Sequence, residues 1–187
     1  MTEAVLPRRF PGQVAVITGA ARGIGTACAL RFAREGANVV CLDLLAEEND
    51  AVAADCAALG VESLALTCNV TEPESVGACV QAALDRWGRI DALITSAGIY
   101  SGSPLPEVSL EQWQRLIDIN LTGVFLCNQA VAPAMMEQRS GSSSNAGRTG
   151  HDSRDRGVPA RAITDSANGR SSSGSPTPEA DRCGGSS

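Results

Sequence analysis

A glycine-rich turn between an apolar run and a helical pattern constrains the fold of this chain more than any other feature. The run Val14-Ala15-Val16-Ile17 leads directly into Thr18-Gly19-Ala20-Ala21-Arg22-Gly23-Ile24-Gly25. From residue 26 to residue 35 apolar side chains recur at helical spacing, and Gly36 then ends the pattern. Such a strand-to-helix turn lets the backbone approach a pyrophosphate, whose charge the free N–H groups and the helix dipole stabilise. The turn therefore predicts a phosphate site, with an ordinary tight turn as the alternative for the glycines taken alone.

Strand and helix patterns alternate over the following hundred or so residues. Apolar strand-length runs occur at residues 39–42, 63–68 and 90–95, and helical patterns at 47–59, 73–87, 110–119 and 121–138. Continuous apolar strands separated by amphipathic helices are typical of a parallel sheet that is covered on both faces. Right-handed crossovers then predict an α/β class, a Rossmann-like doubly wound parallel sheet.

The composition changes abruptly at about Arg139. From residue 140 to residue 187 the chain has no Leu, Phe, Met, Trp or Tyr, and Ser, Gly and Arg are abundant. Such a segment buries too little apolar surface to offset its ordering entropy. We therefore expect an N-terminal extension at 1–11, a domain at 12–139 that stops after about four strands, and a disordered tail at 140–187. A shifted reading frame after residue 139 is a second interpretation of the same change.

A carboxylate follows the second predicted strand. Asp43 lies 24 positions after Gly19, where it can accept hydrogen bonds from both adenosine ribose hydroxyls of NAD and repel the 2′-phosphate of NADP. Arg22 in the glycine turn favours a phosphate, so NADP remains the less favoured alternative. The simpler interpretation of Asp43 is a solvated carboxylate at the end of a strand.

Together these motifs resemble the short-chain dehydrogenase/reductase family over about residues 12–139. Its TGxxxGIG cofactor motif is present as residues 18–25. The resemblance implies that Asn69 and Val70 contact the adenine, and that Ser96-Ala97-Gly98 replaces the family's NNAG turn beside the cofactor. It also implies that Asn120 kinks a helix and holds a water of the proton relay. The complete set of implied cofactor contacts is Gly19, Arg22, Gly23, Ile24, Gly25, Asp43, Leu44, Asn69, Val70, Ser96, Ala97 and Gly98.

The rest of the family's catalytic apparatus is not found in the sequence. The family uses a tyrosine and a lysine four residues apart as the acid–base pair, but this chain contains no lysine. Its single tyrosine, Tyr100, precedes Asn120 and so does not match the catalytic position. Ser142-Ser143-Ser144 lies about where the catalytic serine is expected, but we interpret it as a flexible linker.

We therefore expect an NAD-dependent oxidoreductase by family, acting on an alcohol or carbonyl substrate, in which only Asn120 of the catalytic residues remains and this chain is inactive. Two alternatives stay open: a non-catalytic nucleotide-binding or interaction module, and an unstable truncation product. The helix predicted at 121–138 resembles one that the family uses in a dimer interface. A homo-oligomer is therefore expected, weakened by the missing elements.

Charge and residue spacing exclude several other classes of function. A net charge of −6 argues against nucleic acid as the partner. The apolar runs are too short for a membrane span and the N-terminus lacks a secretory pattern, so we expect a cytoplasmic protein. The seven cysteines are scattered without a CxxC pair, and His151 has no partner, which predicts reduced thiols and no metal site.

Overall fold

A computed structural model describes residues 8–146 of the chain. The predictions made for residues 1–7, for residues 147–187 and for His151 lie outside this range. The strands are β1 Val14–Thr18, β2 Asn38–Asp43, β3 Ser63–Thr67, β4 Ala92–Thr95 and β5 Ser142–Asn145. The helices are α1 Gly23–Arg34, α2 Ala46–Ala58, α3 Pro73–Trp87, α4 Leu110–Ile117 and α5 Gly123–Gln138, with a short 3-10 turn at Leu105–Glu107.

The five strands form one parallel sheet in the order β3-β2-β1-β4-β5. Helices cover both faces, as the apolar strand patterns predicted, because successive side chains of a strand point to opposite sides. Ala15 and Ile17 of β1 pack with α1 and α2, whereas Val14 and Val16 pack with α3 and α5. This is the doubly wound α/β architecture that the sequence predicts.

Strand β5 extends the predicted sheet by one strand. Residues 142–145 pair in parallel with residues 92–95, and the pairing continues as the Ala146 N–H donates to the Thr95 carbonyl at 3.0 Å. The interpretation of Ser142-Ser143-Ser144 as a flexible linker is therefore wrong, and β4 lies inside the sheet with β5 at its edge. Ladder hydrogen bonds involve the backbone alone, so a strand without apolar side chains leaves no periodic signal in the sequence.

Helix α4, a π-helical segment at Asp118–Thr122, and α5 form one continuous helical run. Over Leu110–Gln138 an 18-residue window has a mean hydropathy of 1.2, so this run is long and apolar enough to span a membrane by length and composition only. A helix packed in the core of a soluble protein meets the same criterion. Here Cys127 and Val131 of α5 are buried against the core shared with α3 and β4.

Residues just before β1 attach to the end of α1. The Phe10 N–H donates to the Glu35 carbonyl at 3.0 Å, and the Phe10 and Phe32 rings lie 5.1 Å apart. The buried Glu35 carboxylate accepts hydrogen bonds from the guanidinium groups of Arg9 and Arg31. The hydrogen bond from Arg9 is the main cause that lowers the pKa of Glu35 to about 2. Part of the predicted N-terminal extension is thus fastened to the domain.

Candidate functional site

The glycine turn connects β1 to α1 at the carboxyl edge of the sheet. Gly19 and Gly23 have φ values of +66° and +61°, a region that side chains with a Cβ rarely adopt. A Cβ on Gly19 would lie 2.6 Å from the Ala97 nitrogen, and one on Gly25 would lie 2.0 Å from the Gly19 carbonyl oxygen. Close packing therefore requires glycine at positions 19 and 25, whereas at Gly23 only the positive φ favours it.

The amino end of α1 is free to bind an anion. Its N-cap, Arg22, makes no side-chain capping hydrogen bond, and the first turn of α1 contains no acidic residue. The first backbone N–H groups of a helix have no partners within the helix and carry its positive partial charge. A phosphate group placed on the turn would satisfy both requirements.

Asp43 lies beside the turn at the end of β2. Its carboxylate accepts hydrogen bonds from the Ala21 N–H at 3.0 Å and the Leu45 N–H at 3.1 Å, one on each oxygen. A carboxylate oxygen has two acceptor sites, so each oxygen of Asp43 can still accept a hydroxyl. Near it, Arg22 Nη2 donates to Glu48 Oε1 at 2.6 Å. The rim of the turn thus carries two carboxylates and one guanidinium.

Thr18 links the glycine turn to the loop after β4, a function that the sequence reasoning missed. Its hydroxyl oxygen accepts hydrogen bonds from the N–H groups of Ser96 and Ala97, each at 3.2 Å. Thr18 is buried, and a buried hydroxyl requires a hydrogen-bond partner. The position of a hydroxyl residue at the end of a buried strand was the available signal.

Asn69 lies in the loop between β3 and α3. Its amide oxygen accepts hydrogen bonds from the Thr71 N–H and hydroxyl, and its amide nitrogen donates to Glu72 at 2.7 Å. These bonds hold the loop in shape and fix the orientation of the amide. Because the amide nitrogen carries two hydrogens, it can donate one more hydrogen bond.

Asn120 lies in the π-helical segment and holds the loop after β4. Its amide oxygen accepts from the Ile99 N–H and its amide nitrogen donates to the Ile99 carbonyl, both at 2.9 Å. A Cβ on Gly98 would lie 3.1 Å from that amide oxygen. Asn120 therefore acts on the loop backbone in this structure and does not itself line the cleft beside the glycine turn.

These elements surround a cleft of about 680 Å³ at the carboxyl edge of the sheet. All of the predicted cofactor contacts except Gly25 line the cleft, and Gly25 instead packs under the turn. The sequence reasoning missed several lining residues, namely Leu42, Leu45, Cys68, Ile99, Arg115, Ile119 and Ala146. Arg115 and Ile119 lie four positions apart on the helix that leads to Asn120, so helical spacing could have identified them.

The other candidate residues lie away from any reactive arrangement. Tyr100 is exposed in the loop after β4. Ser143 Oγ donates to Asn128 Oδ1 on α5 at 2.6 Å. Within residues 8–146 the cysteines are all free thiols and no acidic, histidine and cysteine cluster could hold a metal. Burial raises the pKa of Cys127 to about 12, which keeps this thiol protonated at neutral pH.

Several oxidoreductases are similar to this chain in sequence. The family model for short chain dehydrogenases matches residues 13–153, somewhat beyond the predicted limit at residue 139. A 3-oxoacyl-[acyl-carrier-protein] reductase of Synechocystis sp. is 45% identical over 130 residues, covering 69% of this chain and 53% of that protein. Sorbitol dehydrogenase of Cereibacter sphaeroides is 40% identical over 147 residues, covering 76% and 56%. The chain thus spans about half the length of the curated relatives it matches.

Solved structures agree with the sequence relatives. A metagenomic short-chain oxidoreductase in complex with NADP is 36% identical with a TM-score of 0.69, covering 73% of this chain and 62% of that one. Hydroxysteroid dehydrogenase from Escherichia coli is 30% identical with a TM-score of 0.70, covering 74% and 58%.

Proposed function

This chain belongs to the short chain dehydrogenase family of oxidoreductases, and on that premise we propose that its cleft binds NAD(H). The observation that carries the proposal is the Asp43 carboxylate, held at the rim of the glycine turn by the N–H groups of Ala21 and Leu45. The pyrophosphate would lie on the free amino end of α1, and the adenosine ribose against Asp43.

We propose NAD as the preferred cofactor because a fixed carboxylate repels the extra phosphate of NADP. The metagenomic relative that binds NADP makes that dinucleotide the alternative. Asp43 is the residue that would discriminate NAD from NADP. Its carboxylate oxygens can accept hydrogen bonds from ribose hydroxyls but cannot donate one to a phosphate.

The nicotinamide, when bound, supplies or accepts the hydride in this family's chemistry. Of the catalytic groups that the family resemblance implies, the 187 residues retain only Asn120. They include no lysine, Tyr100 lies exposed in a loop, and Ser143 is hydrogen-bonded to Asn128. We therefore propose that this chain binds the cofactor without turning over an alcohol or carbonyl substrate.

We further propose a soluble cytoplasmic protein that binds small molecules and not nucleic acid, since its net charge is −6.

A second copy of the chain is the proposed partner of the helical run from α4 to α5. Trp113, Leu121 and Phe125 are large apolar side chains exposed on that run. Apolar groups clustered on an exposed surface commonly mark a protein interface.

Calorimetric titration of the full chain with NAD tests the proposed site. Asp43→Ala should weaken NAD binding by tenfold or more, because a hydrogen bond to a charged group is worth about 1.5–3 kcal/mol. Asp55→Asn, which removes a charge from the exposed side of α2, is the matched control and should bind as the unsubstituted protein does. Unweakened binding in Asp43→Ala would contradict the assignment of Asp43. No binding by the unsubstituted protein, with a poorly cooperative melt, would favour the truncation product.

A further inference from the structure

An ion pair beside the cleft connects its glycine turn to the start of α2. Arg22 Nη2 donates to Glu48 Oε1 at 2.6 Å, and both side chains are partly exposed to solvent. Arg22 lines the cleft, whereas Glu48 belongs to the first turn of α2, just after the Asp43–Leu45 hydrogen bond. The pair therefore joins the two segments that surround the proposed adenosine ribose.

Without its carboxylate partner, Arg22 would be well placed to bind a phosphate on the ribose. A guanidinium forms strong, often bidentate hydrogen bonds with phosphate oxygens. Here Glu48 accepts a hydrogen bond from one of the five guanidinium N–H groups and balances its charge, so a 2′-phosphate would approach an ion pair of zero net charge instead of a lone cation. The Glu48 backbone N–H and the Arg22 guanidinium lower the pKa of Glu48, which keeps it an ionised competitor at neutral pH.

We propose that Glu48 is a specificity-determining residue, which holds Arg22 and so reduces binding of dinucleotides that carry a 2′-phosphate. This inference rests on the proposed nucleotide site and adds a second residue to the discrimination made by Asp43. Asp43 disfavours the 2′-phosphate by direct charge repulsion. Glu48 pairs with the Arg22 guanidinium, which would otherwise offset that repulsion.

Titration of the full chain with NAD and with NADP tests this role. In Glu48→Gln the ratio of the NADP to the NAD dissociation constant should fall about three- to tenfold, the scale of an exposed ion pair with an added phosphate contact. The shift should shrink in 1 M salt, because salt screens exposed charges.

Two further variants separate the ion pair from general charge effects. Glu47→Gln removes a neighbouring charge from the same helical turn and should leave the ratio within about twofold of its original value. When Glu48→Gln is added to a protein that already carries Arg22→Gln, the ratio of the NADP to the NAD dissociation constant should change less. On a logarithmic scale, this change should be under half of the change that Glu48→Gln causes in the unsubstituted protein. Melting curves for each variant verify that the fold is retained.

The outcomes distinguish this inference from the proposed function. Saturable NAD binding with an unchanged ratio in Glu48→Gln overturns the role of Glu48 and leaves the NAD site standing. An equal shift in the Arg22→Gln background, or in Glu47→Gln, also overturns it, since Glu48 would then act by charge alone. Failure of the unsubstituted protein to bind either dinucleotide overturns both proposals.

Discussion

Gly25 lies under the glycine turn, where no side-chain atom fits. A Cβ there would lie 2.0 Å from the Gly19 carbonyl oxygen and 2.6 Å from its carbon. Gly25→Ala should therefore displace the turn, weaken NAD binding at least tenfold and destabilise the fold by about 1–3 kcal/mol. Calorimetric titration and urea unfolding measure the two effects.

Gly77 provides the control for this substitution. It is exposed in the middle of α3, and a Cβ added there would have no neighbour within 4 Å, so Gly77→Ala should raise stability by about 0.5–1 kcal/mol. Its NAD affinity should not change. Equal losses of affinity in the two variants would contradict the packing argument.

Glu35 makes the free energy of unfolding depend on pH in the acidic range. Its pKa is lowered to about 2, first by the hydrogen bond from Arg9, so the unfolded state binds the proton more tightly than the folded state does. The stabilisation is fully present above the unfolded value near 4.5 and is lost as the pH falls from there to about 2. Glu35→Gln should cost about 2 kcal/mol at pH 7 and progressively less below pH 4.5.

Urea unfolding of both proteins at pH 7, 4 and 3 measures this dependence. Glu107→Gln, at an exposed position in the 3-10 turn, should remain within about 0.5 kcal/mol of the unsubstituted protein at each pH. A Glu35→Gln deficit that stayed constant from pH 7 to pH 3 would show that the ion pairs with Arg9 and Arg31 do not set the acid response.

At the scale of elements, Asn120 holds the helical run against the loop that follows β4. Because its amide bonds both backbone groups of Ile99, Asn120→Ala should free that loop. The Ile99 amide should then exchange its hydrogen with solvent about tenfold faster or more, as measured by hydrogen–deuterium exchange. Asn128→Ala, on α5 of the same run, should leave this amide unaffected because Asn128 bonds Val124 and Ser143.

The elements up to α5 could be predicted because their apolar side chains repeat with the period of a strand or helix. Strand β5 could not, since Ser-Ser-Ser-Asn forms its ladder with backbone groups alone. The same limit applies to Asn49, a buried residue of α2 whose amide nitrogen donates to the carbonyls of Cys41 and Leu66. It links β2 to β3, although its sequence context is that of an ordinary helix residue.

The lining of the cleft was predictable where a sequence motif marked it. The glycines, Asp43 and the loop after β4 all line or support the cleft. The pairing of Arg22 with Glu48 was not predictable, because it depends on how α2 turns back toward α1 and the two residues lie 26 positions apart.

At the scale of the whole molecule, the edge strand β5 contrasts with β1, the central strand of the sheet. All four residues of β5 are exposed, whereas β1 is completely buried. Strands of parallel sheets are normally apolar, since helices cover both faces. We propose that the sequence after about residue 139 arises from a shifted reading frame. Translation of the coding DNA in the other two frames should then give an apolar strand, a serine and Tyr-x-x-x-Lys, and their absence from both frames would contradict the proposal.

The contact between Gly19 and Ala97 also has a consequence for how the chain is made. The hydrogen bond from Ser96 to Thr18, beside that contact, joins residues 78 positions apart. A ribosome adds about 5–20 residues per second, so Ser96 is synthesised roughly 4–16 s after Thr18. During that interval the first strand emerges without the neighbour that later lies beside it at the centre of the sheet. Chaperones that bind nascent apolar segments therefore have several seconds in which to bind β1 before β4 can pair with it.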